Sequence, residues 1–152
     1  MNIAIKRLSS TAIIPTRGST QAAGYDLYAC RHGNDNEHMD EPFVVRSNAT
    51  IKIPTGIAVA IPDGYFGALF ARSGLSINGG LRPANCVGVI DSDYRGEIIV
   101  ALHNDSCTNQ IIHHGDRIAQ LVLMKYQPIE FEEVAELDST KRGIGGFGST
   151  GL

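Results

Sequence analysis

The sequence predicts an all-β fold, either a barrel or a sandwich, and three observations predict it. Apolar and polar residues alternate in several short runs, turn residues recur between the runs, and no window sustains helical periodicity over several turns. The chain has 152 residues, of which 43% are hydrophobic. That length and composition fit one domain with a substantial core.

The predicted strands and turns alternate along the chain. The predicted strand runs are Ile57-Val59-Ile61, Tyr65–Phe70, Ile98-Val100-Leu102 and a face shared by Ile118, Gln120, Val122 and Met124. The predicted turns are Pro54-Thr55-Gly56, Pro62-Asp63-Gly64, Gly79-Gly80, Asn104-Asp105 and His114-Gly115-Asp116.

Three segments depart from this pattern. A short helix is predicted near residues 75–78, and the acidic segment 34–41 is predicted to be a loop. Alternation is lost after about residue 136. We therefore expect a barrel domain over residues 1–136 and a glycine-rich C-terminal arm over 137–152.

Charge and cysteine content exclude several classes of protein. The net charge of −3 argues against a general nucleic-acid coat, which needs a basic stripe. The three cysteines have no CxxC spacing, the first ten residues lack a signal-peptide core, and the apolar runs are too short to span a bilayer. We expect a cytoplasmic protein with no membrane or nucleic-acid partner.

The C-terminal stretch KRGIGGFGST contains Gly143-x-Gly145-x-x-Gly148, which matches a dinucleotide-binding spacing. That fingerprint needs a preceding strand and a following helix, and the sequence ends here instead. A P-loop is excluded as well, because no Gly-Lys-Ser/Thr is present. What remains is a flexible end or a functional arm.

Two stretches suggest anion chemistry. In AGYDLYA (23–29), Asp26 interrupts an apolar run, so it is either paired with a cation or an edge-strand aspartate. In ARSGLS (71–76), Arg72 offers a charged fork, Ser73 a hydroxyl and Gly74 a close backbone approach. An ordinary helix N-cap explains Ser73 equally well.

Two further stretches place polar groups beside apolar strands. In GVIDSDYRGE (88–97), Asp91 stands at the mouth of an expected β-hairpin, where it either forms a plain turn or orients a water as general base. Tyr94 could pack on a sugar, and Asn85 could read a base edge. In GDRIAQLVL (115–123), Gln120 is either satisfied internally or directed into a site, and Asp116 and Arg117 are expected to form a surface or interface pair.

Other charged or ligating residues have simpler interpretations. His113 and His114 are adjacent, so on a strand they point to opposite faces and do not form a joint metal site. Glu130, Glu132 and Glu133 are expected to form a solvated face.

Taken together and in order, AGYDLYA, ARSGLS, GVIDSDYRGE, GDRIAQ and RGIGGFGSTG resemble the five motifs of the homotrimeric dUTPase family. They extend from Ala23 to Gly151. The resemblance implies a jelly-roll β-barrel that hydrolyses dUTP to dUMP and pyrophosphate. This reaction limits uracil incorporation into DNA and supplies dUMP for dTMP synthesis.

The resemblance also implies a role for individual residues. Asp91 matches the catalytic aspartate that activates the attacking water, and Asp26 matches an aspartate that holds water on Mg²⁺. The metal itself is bound mainly by substrate phosphates. The implied base- and sugar-binding residues are Asn85, Gly88, Val89, Ile90, Tyr94, Ile98 and Phe147. The implied phosphate-binding residues are Arg72, Ser73, Gly74, Gln120, Arg142, Gly148, Ser149 and Thr150.

The implied assembly is a homotrimer whose active sites use motifs from more than one chain, with the arm closing over each site. Two alternatives remain open at this point. A dCTP deaminase of the same fold would carry a serine in place of Gly74 and a catalytic glutamate in the third motif. A non-catalytic nucleotide-binding or regulatory protein could dispense with Asp91 or with the arm.

Overall fold

The computed structural model describes residues 1–32 and 40–146, and its architecture confirms the predicted all-β class. Strands dominate this part of the chain, with one short helix among them. The strands are β1 (Ala4–Arg7), β2 (Tyr25–Tyr28), β3 (Phe43–Val45), β4 (Thr50–Pro54), β5 (Ile57–Ala60), β6 (Tyr65–Phe70), β7 (Leu81–Pro83), β8 (Gly88–Ile90), β9 (Ile99–Asn104), β10 (Gln110–Ile112) and β11 (Arg117–Lys125), and the helix is α1 (Ser73–Gly79).

The strands form four small antiparallel sheets. The largest has the order β2-β11-β6-β8, and the next has the order β4-β9-β7. The pairs β1-β5 and β10-β3 complete the set. Neighbours in a sheet are often far apart in sequence, as expected where connections cross between sheets in a jelly-roll barrel.

All four sheets contribute to one hydrophobic core. Leu27 and Ile118 come from the largest sheet, Leu102 from the second, and Val45 and Ile57 from the two pairs. Each of these side chains is almost completely buried. The four sheets therefore pack around one shared core and do not form separate units.

Several sequence predictions for these elements are confirmed. Strand β6 has the predicted bounds, and Ile98, Val100 and Leu102 are buried at alternate positions in and beside β9. The predicted helix is α1, which ends at Gly80 with a left-handed φ of 67°. The turn at Gly56 likewise has φ +69°, and a Cβ there would lie 2.7 Å from Cys30 Sγ.

The predicted face of the last strand is wrong in one position. A β-bulge between Arg117 and Ala119 shifts the register of β11 against β2. Ile118 therefore enters the core, while Gln120 does not share its face. The extra residue in a bulge is the physical reason, because it breaks the two-residue period on which the prediction depends.

The predicted Asn104-Asp105 turn also differs. Asn104 ends β9 and is fully buried, so it belongs to the framework rather than to an exposed turn. Its amide donates to the carbonyls of Val45 and Thr108 and its oxygen accepts from Ser106. These hydrogen bonds satisfy the polar atoms of the Asn104 amide, which is why the side chain can be buried.

Regular structure ends at Lys125, and residues 126–146 carry neither helix nor strand. Glu130, Glu132 and Glu133 are exposed, as predicted. Large apolar side chains are exposed beside them, with Ile129 68%, Phe131 93% and Leu137 86% accessible. The single helix of the described residues, α1, is not long and apolar enough to cross a membrane.

Candidate active site

Three of the five motif stretches meet at one end of the largest sheet. Asp26 lies on β2, Arg117 begins β11, and Arg72 follows β6 by two residues. Gln120 pairs with both Asp26 and Phe70 across the sheet. Antiparallel pairing of β11 with its two neighbours therefore gathers these side chains, although they are distant in sequence.

The Asp26 carboxylate joins two arginines. Arg72 Nε donates to Oδ1 at 2.8 Å, and Arg117 Nη1 donates to Oδ2 at 3.4 Å. The Asp26 side chain is only 13% exposed, so its burial is compensated by charge. Of the two interpretations of Asp26, pairing with a cation holds, and β2 is also an edge strand of its sheet.

The same contacts correct the expected Asp116–Arg117 pair. Arg117 turns to Asp26, while Asp116 Oδ2 accepts the backbone N–H of His113 at 2.7 Å. The cluster of Asp26, Arg72 and Arg117 thus sets two guanidinium groups against one carboxylate. Its excess positive charge suits a phosphate.

Helix α1 presents the second motif beside this cluster. Arg72 is the N-cap residue and makes no side-chain capping bond, so the N-cap interpretation of Ser73 is wrong. Ser73 and Gly74 are exposed within the first turn, and nothing lies within 4 Å of a Cβ built on Gly74. First-turn N–H groups of a helix have no helical acceptor, so this open surface offers donors.

Gln120 connects the first, second and fourth motifs. Its Nε2 donates to the Ala71 carbonyl at 2.9 Å, which uses one of the two amide N–H groups and leaves the other as a donor. A Cβ on Gly24 would lie 2.5 Å from Gln120 Oε1. Gly24 therefore leaves the space that the Gln120 side chain occupies.

The third motif forms a connection between sheets, and the expected hairpin over 88–97 is wrong. Strand β8 pairs with β6, whereas β9 pairs with β4 and β7. The segment 91–98 carries the chain from one sheet to the other. Loop patterns alone do not reveal this, because a hairpin and a crossover share the same turn residues.

Asp91 opens this connection and is exposed. It lies in a cavity of about 550 Å³ lined with Phe66, Val89 and Tyr126. No hydrogen bond to its carboxylate is found among residues 1–32 and 40–146, so both oxygens are available to a water or substrate group. Accessibility of this kind is what a general base requires.

Tyr94 follows in the same loop and is 44% exposed. Its hydroxyl donates to the Glu97 carbonyl at 3.0 Å. Its ring lies against Gly96, where a Cβ would be 2.5 Å from Tyr94 Cζ. The ring is held at one edge and presents a face to the surface.

The residues expected to bind the base lie in and before β8. Strand β8, formed by Gly88, Val89 and Ile90, is the edge strand of its sheet, which leaves backbone groups for a ligand. Asn85 is exposed in the preceding turn. Two hydrogen bonds from the Arg82 guanidinium to the Asp105 carboxylate, at 2.7 and 3.1 Å, join β7 to the residue that follows β9 and raise the pKa of Arg82 above its ordinary value.

Ile98 does not fit the expected base-binding set. Its side chain is fully buried, its N–H donates to the Ile57 carbonyl, and its own carbonyl accepts from Thr55. No group of Ile98 is left for a base, so we exclude it from the proposed site.

The chain does not bring Asp91 to the phosphate cluster. Ile90 pairs with Gly67, which places Asp91 beside Phe66. Gln120 pairs with Phe70, and Arg72 lies two residues beyond that end. The four residue steps from Phe66 to Phe70 span about 13 Å of strand, so the two groups stand at opposite ends of β6.

The hydrogen bonds of the described part of the arm, residues 137–146, all lie within the arm itself. Arg142 is exposed, and its Nε donates to the Gly145 carbonyl at 2.8 Å within the same turn. The expected ligands Phe147, Gly148, Ser149 and Thr150 lie outside the described residues. Residues 34–39 of the predicted acidic loop do so too.

Metal-ligating residues are dispersed over residues 1–32 and 40–146, with no group of three or more His, Cys, Asp or Glu that could hold a metal. His113 and His114 lie beyond β10, and their contacts differ: the His113 N–H donates to Asp116, and His114 Nδ1 accepts the N–H of Arg31. The donor set suits an ion held chiefly by phosphates and water.

Solved structures resemble the whole chain. A mutant dUTPase of Staphylococcus bacteriophage 80alpha with dUpNHpp is 28% identical, with a TM-score of 0.82 and 99% of each chain covered. A dUTPase mutant of S. aureus phage phi11 that coordinates a structural Mg(II) ion is 26% identical, with a TM-score of 0.78 over 91% of this chain and all of the other.

Fold and site together define a jelly-roll β-barrel of the nucleotide-hydrolase class. The dUTPase family profile matches residues 10–151. A deoxyuridine 5'-triphosphate nucleotidohydrolase of Syntrophotalea carbinolica is 44% identical over all of this chain and 98% of its own length, and that of Rickettsia massiliae is 41% identical over 99% and 97%. The chain belongs to the dUTPase family, as the five motifs predict.

Sequence reasoning missed three contributors to this geometry: Arg117 as a partner of Asp26, Gly24 as the space for Gln120, and the Glu97 side chain. Asp26 and Arg117 are 91 residues apart, and only the pairing of β2 with β11 joins them. The available signal was a glycine two residues before a strand aspartate, which indicates close approach but not its partner.

Proposed function

We propose that this chain is a dUTP diphosphatase, which hydrolyses dUTP to dUMP and pyrophosphate. Membership of the dUTPase family over nearly the whole chain is the observation that carries the proposal. In the cell, the reaction limits uracil incorporation into DNA and supplies dUMP for dTMP synthesis.

Asp91 is the proposed general base. Its carboxylate orients a water molecule and accepts a proton from it as the water oxygen bonds to the α-phosphorus. The bond from that phosphorus to the α,β-bridging oxygen breaks, and pyrophosphate leaves with the electron pair. The carboxylate is exposed and accepts no hydrogen bond from the described residues, which supports this role.

The base and sugar are bound by the edge of β8 and the loop that follows it. Backbone groups of Gly88, Val89 and Ile90 with the Asn85 amide read uracil, and Phe147 of the arm stacks on it. Tyr94 packs on deoxyribose and leaves no space for a 2′-hydroxyl. Cytosine is rejected mainly because its donor pattern leaves buried polar groups unpaired.

The phosphates are bound by the cluster at the other end of β6 and by the arm. Arg72, Ser73, Gly74 and Gln120 supply donors from one surface, and the excess positive charge beside Asp26 supports this assignment. From the arm, Arg142, Gly148, Ser149 and Thr150 complete the contacts over residues 137–152, which close on the barrel of residues 1–136.

Mg²⁺ is the cofactor, and the residues present fit it. Both Asp26 oxygens are engaged by arginines, but a carboxylate has about four acceptor positions, so it can still accept a metal-bound water. When bound, the ion neutralises charge on the triphosphate. Asp26 and the two arginines that it contacts orient the phosphates whether or not the ion is bound.

The active sites are assembled between copies of this chain in a homotrimer. Two observations support this proposal: Asp91 and Arg72 stand at opposite ends of β6, and large apolar side chains are exposed on residues 126–137. A second copy supplies the missing half of each site and buries apolar surface. We infer a cytoplasmic location from the three free cysteines.

The two alternatives are not favoured. Relatives that match all or nearly all of the chain are named deoxyuridine 5'-triphosphate nucleotidohydrolases. A glycine stands at position 74, and Asp91 is present and accessible. The non-catalytic alternative lacks an observation in its favour.

A hydrolysis panel tests the proposal. Protein with Mg²⁺ is incubated separately with dUTP, dCTP, dTTP and UTP, and pyrophosphate and ammonia are measured. Selective release of pyrophosphate from dUTP is expected. Ammonia from dCTP would establish the deaminase, and dUTP binding without turnover would establish a binding protein.

A further inference from the structure

The Glu97 side chain makes two short contacts that the proposed chemistry does not use. Its Oε1 accepts the backbone N–H of Gly56 at 2.7 Å and contacts His32 Nε2, also at 2.7 Å. The side chain is only 19% exposed. A partly buried carboxylate with two short hydrogen bonds, one of them to the backbone, holds its neighbourhood firmly.

These contacts belong to a larger attachment of the third motif to the turn between β4 and β5. The Ile98 carbonyl accepts from Thr55 Oγ1 at 2.6 Å, and the Ile98 N–H donates to Ile57 at 2.9 Å. Thr55 and Ile98 are almost fully buried. The end of the loop is therefore fixed to the barrel at residues 55–57.

Tyr94 depends on this same attachment point. Its hydroxyl donates to the Glu97 carbonyl, and its ring lies against Gly96. Its exposed face is thus placed by the two residues that come just before the fixed Ile98. A shift of the Glu97 backbone moves the phenol with it.

We propose that Glu97 is a positioning residue for sugar selectivity: its carboxylate, bound to the Gly56 N–H, holds the backbone that places the Tyr94 ring. The inference rests on the proposed function, because it takes Tyr94 as the group that excludes a 2′-hydroxyl. Without this anchor, the ring has room to move and the site admits a ribonucleotide.

The test is the ratio of kcat/KM for dUTP to that for UTP. In Glu97→Ala this ratio falls about tenfold or more, because the steric exclusion relaxes. Glu97→Gln retains the wild-type ratio, since its amide oxygen still accepts the Gly56 N–H. Gly96→Ala lowers the ratio as well, because its Cβ displaces the Tyr94 ring.

A matched control separates positioning from general damage. Asp63 Oδ1 also accepts a glycine N–H, that of Gly64 at 2.9 Å, in a turn of another part of the barrel. Asp63→Ala therefore removes the same kind of bond and should leave the ratio unchanged. Should Glu97→Ala fail to fold, Gly96→Ala with Glu97→Gln still tests the arrangement.

The outcomes distinguish this inference from the proposed function. A Tyr94→Ala variant that keeps full selectivity overturns the role of Tyr94 itself. Lost selectivity in Tyr94→Ala, with none lost in Glu97→Ala or Gly96→Ala, overturns the positioning role alone. An equal loss in Glu97→Gln and Glu97→Ala contradicts it too, because glutamine keeps the acceptor.

Discussion

At the scale of single residues, Asp91 is the group on which the proposed chemistry depends. It is exposed at the start of a connection between two sheets, and a second carboxylate, Asp93, lies two residues away. The two acids share the same loop and the same exposure. Comparing substitutions of Asp91 and Asp93 therefore distinguishes the loss of a specific proton acceptor from the loss of a negative charge in this loop.

Asp91→Asn should retain dUTP binding and lose turnover by about 10²–10⁴-fold, because an amide cannot accept the proton of the attacking water. Pyrophosphate release measures turnover, and calorimetric titration with a non-hydrolysable dUTP analogue measures binding. Asp93→Asn is the control and should lose less. A fully active Asp91→Asn would contradict the assignment.

The sequence identified most candidate residues but not their partners. Asp26 stood out because a lone carboxylate interrupts an apolar run, yet Arg72 lies 46 residues away and Arg117 lies 91 away. Those distances are bridged only by sheet pairing. Ile98 was assigned to the base because it directly follows the third motif, and its burial and its hydrogen bond with Thr55 were not readable from that position.

At the scale of elements, the close approach of β2 and β11 assembles half of the site. The approach requires a residue without a side chain at position 24, because Gln120 Oε1 occupies the space that a Cβ would fill. Gln120 in turn reaches the Ala71 carbonyl in front of α1. One glycine therefore supports contacts among three motifs.

Gly24→Ala should displace Gln120 and cost about 1 kcal/mol of stability, the usual contribution of one hydrogen bond. It should also raise the KM for dUTP more than it lowers kcat, because Gln120 is a proposed phosphate ligand. Thermal unfolding and steady-state kinetics measure the two effects. Gly18→Ala is the control, since nothing lies within 4 Å of its Cβ; equal behaviour of the two variants would refute the argument.

Element type was largely predictable, and the exceptions have physical causes. Strands β6 and β9 and helix α1 follow from local patterns of burial and turn residues. The bulge at the start of β11 does not follow from such patterns, because one inserted residue leaves no mark in the composition of the strand. The pairing of β8 with β6 rather than β9 was not predictable either, since a turn sequence does not indicate which sheet the next strand joins.

At the scale of the whole molecule, the chain places its proposed base and its phosphate cluster at opposite ends of one strand. The arm adds a third component, since Arg142 lies on an exposed segment beyond the last strand. We infer that catalysis needs several copies of the chain together. The contributions of the arm and of the interface between chains to catalysis can be tested separately.

Truncation after Asp138 removes Arg142 and the residues that follow it. The product should remain folded and assembled, because the core lies within β1–β11, but it should bind dUTP weakly and turn over slowly. Gel filtration should show a mass near three times that of the 16.3 kDa chain before truncation, and near three times that of the shortened chain after it. An unfolded product would mean that the arm is structural.

The most direct test of the shared site mixes two inactive variants. Asp91→Asn and Arg72→Ala damage opposite halves, so chains unfolded and refolded together should form some sites in which both halves are intact. With equal amounts and random assembly, the mixture should recover about a quarter of wild-type dUTP turnover, since each site draws the two halves independently from two chains. A mixture no more active than the two variants refolded separately would contradict an active site built between copies of this chain.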